Sequence, residues 1–577
     1  MNETADTTLS ALDRAARIIE PIDDADRPEI WISRVTTEAL ALAITELDER
    51  RAAGASLPLD GLTFAVKDNI DVAGVPTTAG CPAFASTPTV SAPSVAALVQ
   101  AGALFVGKTN LDQFATGLVG TRSPYGAVRN AVDPSRISGG SSSGSAVAVA
   151  LELVDLALGT DTAGSGRVPA ALNGIVGIKP TYGVVSTAGV VPACRSFDCV
   201  SVFALDVSTA RRAVAVMADT DPSDPRRRRR PSDAPLGLPS SPIVAVVDDS
   251  ELVDLSPERL VSYRRAVDRL VESGVVIQRV SLAPFLAAGS LLYGGAFVTE
   301  RADAVGDFVA THQDDVDPVV GSIVTAAGAL SGPALAGDLD RLHLLRTEVD
   351  ELFASTGACS LLLPTTGRHP TIEDVAADPL EENAAMGRYT TFVNLLDQCA
   401  VSVPAEPVAG LPFGVSVIGP AFTDLIQADL AEILEGVSME MARMPRDDFA
   451  LPAIEIAVAG AHLTGQPLNS QLTDRGARLV SVTTTAATYA LFALDTNPPK
   501  PGLVRVGAGG AAIEVEVWRV PPVGFASFVA ALPPPMTVGP VSLADGSVVT
   551  GFGCEPITLE GAEDITSFGG WRSFLAR

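Results

Sequence analysis

Two serine-rich glycine turns lie close together in this chain. GGSSSGS runs from Gly139 to Ser145, and GTDTAGSGR runs from Gly159 to Arg167. Ser141 follows the paired glycines of the first turn, and Ser165 stands 24 residues later in the second. A serine hydroxyl is a weak nucleophile at neutral pH and attacks a carbonyl only beside a base. Turns of this kind also bare backbone N–H groups, which can hold an oxyanion. Candidate bases are few. The chain has four lysines, Lys67, Lys108, Lys179 and Lys500, and its other 36 cationic side chains are arginines. Arginine does not lose its proton in a protein, whereas burial disfavours the charged form of lysine and can free its amine. Lys67 ends the apolar run LTFAV, which reads as a buried strand that carries the lysine inward. Two hydroxyls and one desolvated amine make an acyl-transfer site that needs neither histidine nor metal. GGSSSGS alone would suit a flexible linker. The apolar SAVAVALELVDLALG that follows must be buried, and a linker would not lead straight into it.

From Gly61 to Tyr182 the chain resembles the amidase signature family, in FAVKDNI and in both serine turns. The resemblance implies Ser165 as nucleophile, Ser141 as proton relay and Lys67 as base. It points to the backbone N–H groups of Thr162, Ala163 and Gly164 as the oxyanion hole, while Ser142 and Ser145 hold the first turn. AGSGR departs from the commoner GGSIR at Ala163 and Gly166, and there it resembles allophanate hydrolases. SLLYGGAFVTERADAV places Tyr293 and Arg301 eight residues apart, near one face if the segment is a single helix. In allophanate hydrolases a tyrosine and an arginine in this context bind the substrate carboxylate and amide oxygen. AVAGAHLTGQPLNSQL and ITSFGGWRSFLAR resemble the extra C-terminal domain of those enzymes, which is associated with breaking down N-carboxycarbamate. His462 is the only histidine there and a candidate proton shuttle. Ser470 departs from the bulkier residue common at that position. The activity implied is hydrolysis of allophanate to ammonia and carbon dioxide, the second step of ATP-dependent urea degradation. Two alternatives stay open: an amidase on another small amide such as biuret, and a glutaminase-type amidotransferase subunit.

A net charge of −28 argues against nucleic acid and anionic membrane surfaces as partners. The basic run Arg226–Arg230 sits among Pro, Asp and Ser and reads as a solvated loop. The six cysteines, Cys81, Cys194, Cys199, Cys359, Cys399 and Cys554, form no CxxC pair, and the four histidines lack metal-ligand spacing. No metal and no cofactor is therefore expected, in a reducing, cytoplasmic setting. No stretch of uninterrupted apolar residues spans a bilayer, and the N-terminus lacks the pattern of a signal peptide. No biotin-attachment or ATP-grasp motif is found. The resemblance implies a homodimer and a biotin-dependent urea carboxylase on a separate chain as functional partner.

The elements that must position the chemistry follow from periodicity. Residues 1 to about 60 are helical. From Gly61 to about Val200, short apolar strands alternate with helices, as in APSVAALVQAGALFVGKTN, which implies an α/β sheet with helices on both faces. The expected fold is α/β: the amidase-signature fold, a mixed central sheet covered by helices, over 1–445, with a helical insertion near 285–355. A linker over 446–455 leads to a smaller β-rich α+β domain over 456–577.

Overall fold

The computed structural model describes residues 9–444 and 452–577; most of the expected linker lies outside the described residues. The chain divides into two compact units. One holds Met1–Arg229 and Ile243–Gly436, and the other holds Arg230–Pro242 and Val437–Arg577.

The first unit is built on one 11-stranded mixed sheet. Its strands are β1 (Trp31–Arg34), β2 (Thr63–Lys67), β3 (Leu104–Thr109), β4 (Leu156–Asp161), β5 (Val176–Lys179), β6 (Cys199–Ala204), β7 (Ile243–Val246), β8 (Val276–Arg279), β9 (Ser360–Pro364), β10 (Gln398–Pro404) and β11 (Gly414–Pro420). Their order is β1-β3-β2-β4-β6-β5-β10-β11-β9-β7-β8. β2 runs parallel to both neighbours, β3 and β4, and all five of its residues are buried. This is the expected LTFAV strand, and it delivers Lys67 at its carboxyl end. Open α/β sheets place their sites beyond that end. β4 pairs antiparallel with β6, and β5, β10 and β11 are antiparallel too, so the sheet is mixed.

APSVAALVQAGALFVGKTN forms a helix over Pro93–Gln100 and then β3, as its pattern predicts. Residues 9–60 hold two helices, Ala11–Asp24 and Thr37–Ala52, with β1 between them. β1 does not show in the periodicity because it has only four residues and pairs on one edge alone. The insertion is helical, over Ala283–Tyr293, Thr299–Thr311, Pro318–Ala327 and Gly332–Thr356. No single helix among the described residues is long and apolar enough to cross a membrane; one sharply bent pair, Pro318–Ala327 with Gly332–Thr356, passes by composition only.

The second unit is β-rich. A five-stranded sheet runs β13 (Arg478–Thr484), β16 (Glu514–Val520), β12 (Ile454–Val458), β18 (Val548–Cys554) and β17 (Met536–Ser542). A three-stranded sheet joins β15 (Lys500–Arg505), β14 (Tyr489–Leu494) and β19 (Glu563–Asp564). Leu491, Trp518, Phe528, Phe552 and Trp571 fill its core. Arg230–Pro242 belongs to this unit: the Leu236 N–H donates to Gly476 O at 2.8 Å, and Arg478 donates to Leu236 O at 3.1 Å.

Candidate active site

Lys67 is fully buried, with Nζ 2.7 Å from Ser141 Oγ and 2.7 Å from Thr160 Oγ1. β2 and β4 are adjacent, so the ends of the two strands bring Lys67 and Thr160 to one place. The first serine turn folds back onto the same strand. Ser142 Oγ lies against both backbone groups of Thr160, at 3.2 and 3.3 Å, and Ser145 Oγ donates to Leu158 O at 2.8 Å. These serines hold the turn, which leaves Ser141 facing the lysine. The Gly140–Ser141 peptide is cis. Burial pulls the Lys67 ammonium down to about 7, against the opposing fields of Asp112, Asp198 and Asp161; Arg301 adds to the lowering.

Ser165 heads the turn before the helix Val168–Asn173, and its hydroxyl has no hydrogen-bond partner among the described residues. A single carboxylate organises this turn. Asp161, at the end of β4, accepts the N–H groups of Gly164 and Gly166 at 3.0 Å each, and pairs with Arg167 at 2.9 Å. Burial pushes the Asp161 carboxyl up, but Arg167, Lys179 and the Gly166 N–H together hold it below the usual range. This corrects one expectation: the Gly164 N–H is committed to Asp161 and is not a free oxyanion donor. The N–H groups of Thr162 and Ala163 have no acceptor among the described residues, and neither has that of Ser165. Behind the turn, Thr390 Oγ1 donates to Ala163 O at 2.7 Å. A Cβ on Gly164, whose φ is +132°, would lie 2.3 Å from that hydroxyl. Thr162 Oγ1 donates to Asp198 at 2.5 Å, and burial pushes the Asp198 carboxyl up.

Tyr293 and Arg301 do not share a helix. Tyr293 ends one helix, a 3-10 turn over Ala296–Val298 follows, and Arg301 lies in the first turn of the next. Gly294 and Gly295 occupy the corner. The side chains still meet: Arg301 donates to Tyr293 Oη at 3.2 Å, to Thr116 Oγ1 at 2.7 Å and to Ala115 O at 3.4 Å. Arg301 is 2% exposed, and no carboxylate lies within ion-pair distance among the described residues. A cavity of about 490 Å³ is lined by Tyr293, Gly387, Arg388 and Thr391.

His462 belongs to the second unit. It is buried, stacks on Phe552 at 5.1 Å, meets Phe528 edge-on, and its Nε2 lies 3.0 Å from Gln471 Oε1. Burial lowers its basicity. Ser470 begins the short helix Ser470–Thr473. Among the described residues, no three His, Cys, Asp or Glu side chains gather as a metal set.

Thr160, Asp112, Thr116, Asp198 and Thr390 were not legible as site residues. Only Thr160, inside the second serine turn, carried a local signal; Thr116 meets Arg301 of the insertion, Thr390 meets Ala163, and Asp112 and Asp198 bind backbone amides that no side-chain pattern marks.

Comparison with known proteins gives these matches. The family model "Amidase" covers residues 13–425, and "Allophanate hydrolase C-terminal domain" covers residues 454–576. The urea amidolyase of Lachancea kluyveri is 41% identical over 574 residues, which is 94% of this chain and 31% of that protein. The chain thus spans about a third of the length of that relative. The structure of the allophanate hydrolase of Kluyveromyces lactis matches with a TM-score of 0.90 and 37% identity, over 99% of this chain and 97% of the other. A glutamyl-tRNA(Gln) amidotransferase polypeptide of Halobacterium salinarum is 36% identical over 394 residues, 63% of this chain and 92% of its own length.

Proposed function

The chain belongs to the amidase family, and from that membership we propose that it hydrolyses allophanate, H2N–CO–NH–COO⁻, through a Ser165–Ser141–Lys67 relay. The observation that carries the substrate's charge is Arg301. It is a buried guanidinium whose partners are all neutral: a tyrosine, a threonine and a carbonyl. A buried charge without a counter-charge is costly. A carboxylate brought by the substrate supplies the missing partner, through a charge-assisted pair.

The chemistry runs as an acyl transfer. Neutral Lys67 takes the Ser141 proton as Ser141 takes that of Ser165, and the Ser165 oxygen attacks the terminal amide carbon. The N–H groups of Ala163, Thr162 and Ser165 are the open donors for the oxyanion. The C–NH2 bond breaks, the relay returns the proton, and ammonia leaves. Water then cleaves the ester to release N-carboxycarbamate, whose decomposition yields carbon dioxide and the second ammonia. The second unit, with His462, serves that later step. The same reading takes the chain as a cytoplasmic homodimer, working beside a biotin-dependent urea carboxylase.

The test is ammonia release from allophanate, biuret and glutamine side by side, for the native chain and Arg301→Ala. Arg301→Ala is expected to lose about two to four powers of ten in kcat/KM on allophanate, with a far smaller loss on a neutral amide. Arg301→Lys recovers little, since a point charge does not reproduce the planar fork. Equal losses on charged and neutral substrates would remove the carboxylate from the proposal. Preferred turnover of glutamine would replace it with the amidotransferase reading.

A further inference from the structure

Asp112 takes no part in the relay and touches none of its reacting atoms, yet it is built into the turn that carries Ser141. It lies three residues beyond the end of β3 and is fully buried. Its N–H donates to Ser141 O at 3.1 Å. Its carboxylate accepts three backbone N–H groups: Val119 at 3.2 Å and Gly120 at 3.0 Å on one oxygen, and Arg122 at 3.0 Å on the other. The same oxygen that takes the Val119 and Gly120 amides fills the space beside Gly140. A Cβ there would fall 2.0 Å from it, so the residue before the relay serine must be glycine. No cation lies within ion-pair distance of Asp112 among the described residues. Its lost hydration is compensated by backbone dipoles alone.

We propose that Asp112 is the positioning residue of the relay: its N–H holds the Ser141 carbonyl, its carboxylate ties down the Val119–Arg122 loop and fills the space beside Gly140, and its negative charge acts on the lysine base. This rests on Lys67 being that base.

Four charged groups act on Lys67. Asp112 acts from the loop after β3, Asp198 from the loop before β6, Asp161 from the end of β4, and Arg301 from the insertion. They are not equivalent. Asp161 is neutralised by Arg167 at 2.9 Å. Asp198 accepts only neutral donors: Thr162 Oγ1 and the N–H groups of Ala193 and Cys194. Arg301 favours the neutral amine. Asp112 exerts the largest of the carboxylate fields and favours the protonated one. Protonated Lys67 is the state that must hand its proton back toward the departing nitrogen. A fixed anion nearby stabilises that state after the proton has arrived.

The experiment is the pH dependence of ammonia release from allophanate, between pH 5 and 9, for the native chain, Asp112→Asn, Asp112→Ser and Asp155→Asn. Asp155 anchors the other end of β2, accepting Thr63 N at 2.7 Å and Thr63 Oγ1 at 2.8 Å, and is not among the leading charges on Lys67. It controls for loss of a structural carboxylate. Both Asp112 variants are expected to move the acid limb of the profile about one unit toward lower pH. The plateau kcat is expected to fall about tenfold while KM stays within about twofold, because Asp112 meets no substrate. Asp155→Asn leaves the limb in place. A limb that stays put in the Asp112 variants, or moves equally in Asp155→Asn, overturns the proposal. So does failure of both Asp112 variants to fold by circular dichroism, since the carboxylate would then serve the fold alone. A native profile with no acid limb, by contrast, removes Lys67 as the base and is read separately.

Discussion

A lysine amine held near neutrality dictates how the site responds to acid. The ordinary lysine keeps its proton far above physiological pH, so it is no base there. Lys67, brought down to about 7 by burial, is neutral in a substantial share of the molecules there. In the proposed relay its neutral form is the active one. Activity on allophanate is therefore expected to rise through pH 7 to a plateau about a unit above it, and to fall toward tenfold per unit well below pH 7. A rate that stays level down to pH 5 would contradict the lysine. Ser165→Ala is expected to abolish ammonia release with the far-ultraviolet spectrum unchanged, and Lys67→Ala to do nearly the same, because members of one catalytic unit do not contribute additively. The burial of Lys67 was legible in the sequence for chemical reasons. Lysine is scarce here, and an apolar run leading to one predicts burial. The carboxylates around it were not. Asp112 and Asp198 act through folds that bring residues 67, 112 and 198 together, and no local period encodes that. The Gly164 donor failed for a related reason: a glycine turn shows which amides are bare, but not which a neighbouring carboxylate will claim.

At the scale of elements, the nucleophile turn is a small rigid body tied by one buried ion pair. Asp161 and Arg167 lie six residues apart, both fully buried, and Arg167 also donates to Asn394 at 3.0 Å. Asp161→Asn keeps the shape and strands the guanidinium. The expected cost is about 3–5 kcal/mol, read as a lowered urea midpoint. An unchanged midpoint would mean that the pair contributes little to the turn. The Tyr293–Arg301 corner shows the reach of periodicity and its limit. An eight-residue spacing places both side chains on one face of a straight helix, but Gly294 and Gly295 interrupt it. Gly295 is extended, and a Cβ on it would lie 2.4 Å from Leu291 O and 2.6 Å from Asp338 Oδ2. Gly295→Ala is expected to open the corner and raise KM for allophanate by roughly an order of magnitude, with smaller change in kcat. Strands with continuous apolar runs, such as β2 and β9, were plain in the sequence. β15 and β17 were not, for each contains a proline among its residues.

For the whole molecule, the change of rhythm near residue 450 marks the second unit, but chain order conceals part of it. A chain ending at Met444 keeps every relay residue and is expected to release the first ammonia. It also strands Arg230–Pro242, which carries Leu236 and Leu238, buried at 5% and 2%. The shortened chain is expected to aggregate, and Leu236→Ser with Leu238→Ser to restore its solubility, as light scattering would show. Full solubility without those changes would mean that the strip needs no cover. Pro and Ser around the Arg226–Arg230 run suggested only a surface loop; nothing local distinguishes a loop that returns from one that donates a strip elsewhere. That discontinuity also has a temporal side. About 200 residues separate Pro242 from Val437. At ribosomal speeds of about 5–20 residues per second, the leucine strip emerges roughly 10–40 s before the rest of its unit begins to be made. During synthesis the newborn chain therefore holds out Leu236 and Leu238 before their own unit has been made, and for that interval a chaperone at the tunnel mouth is expected to cover them.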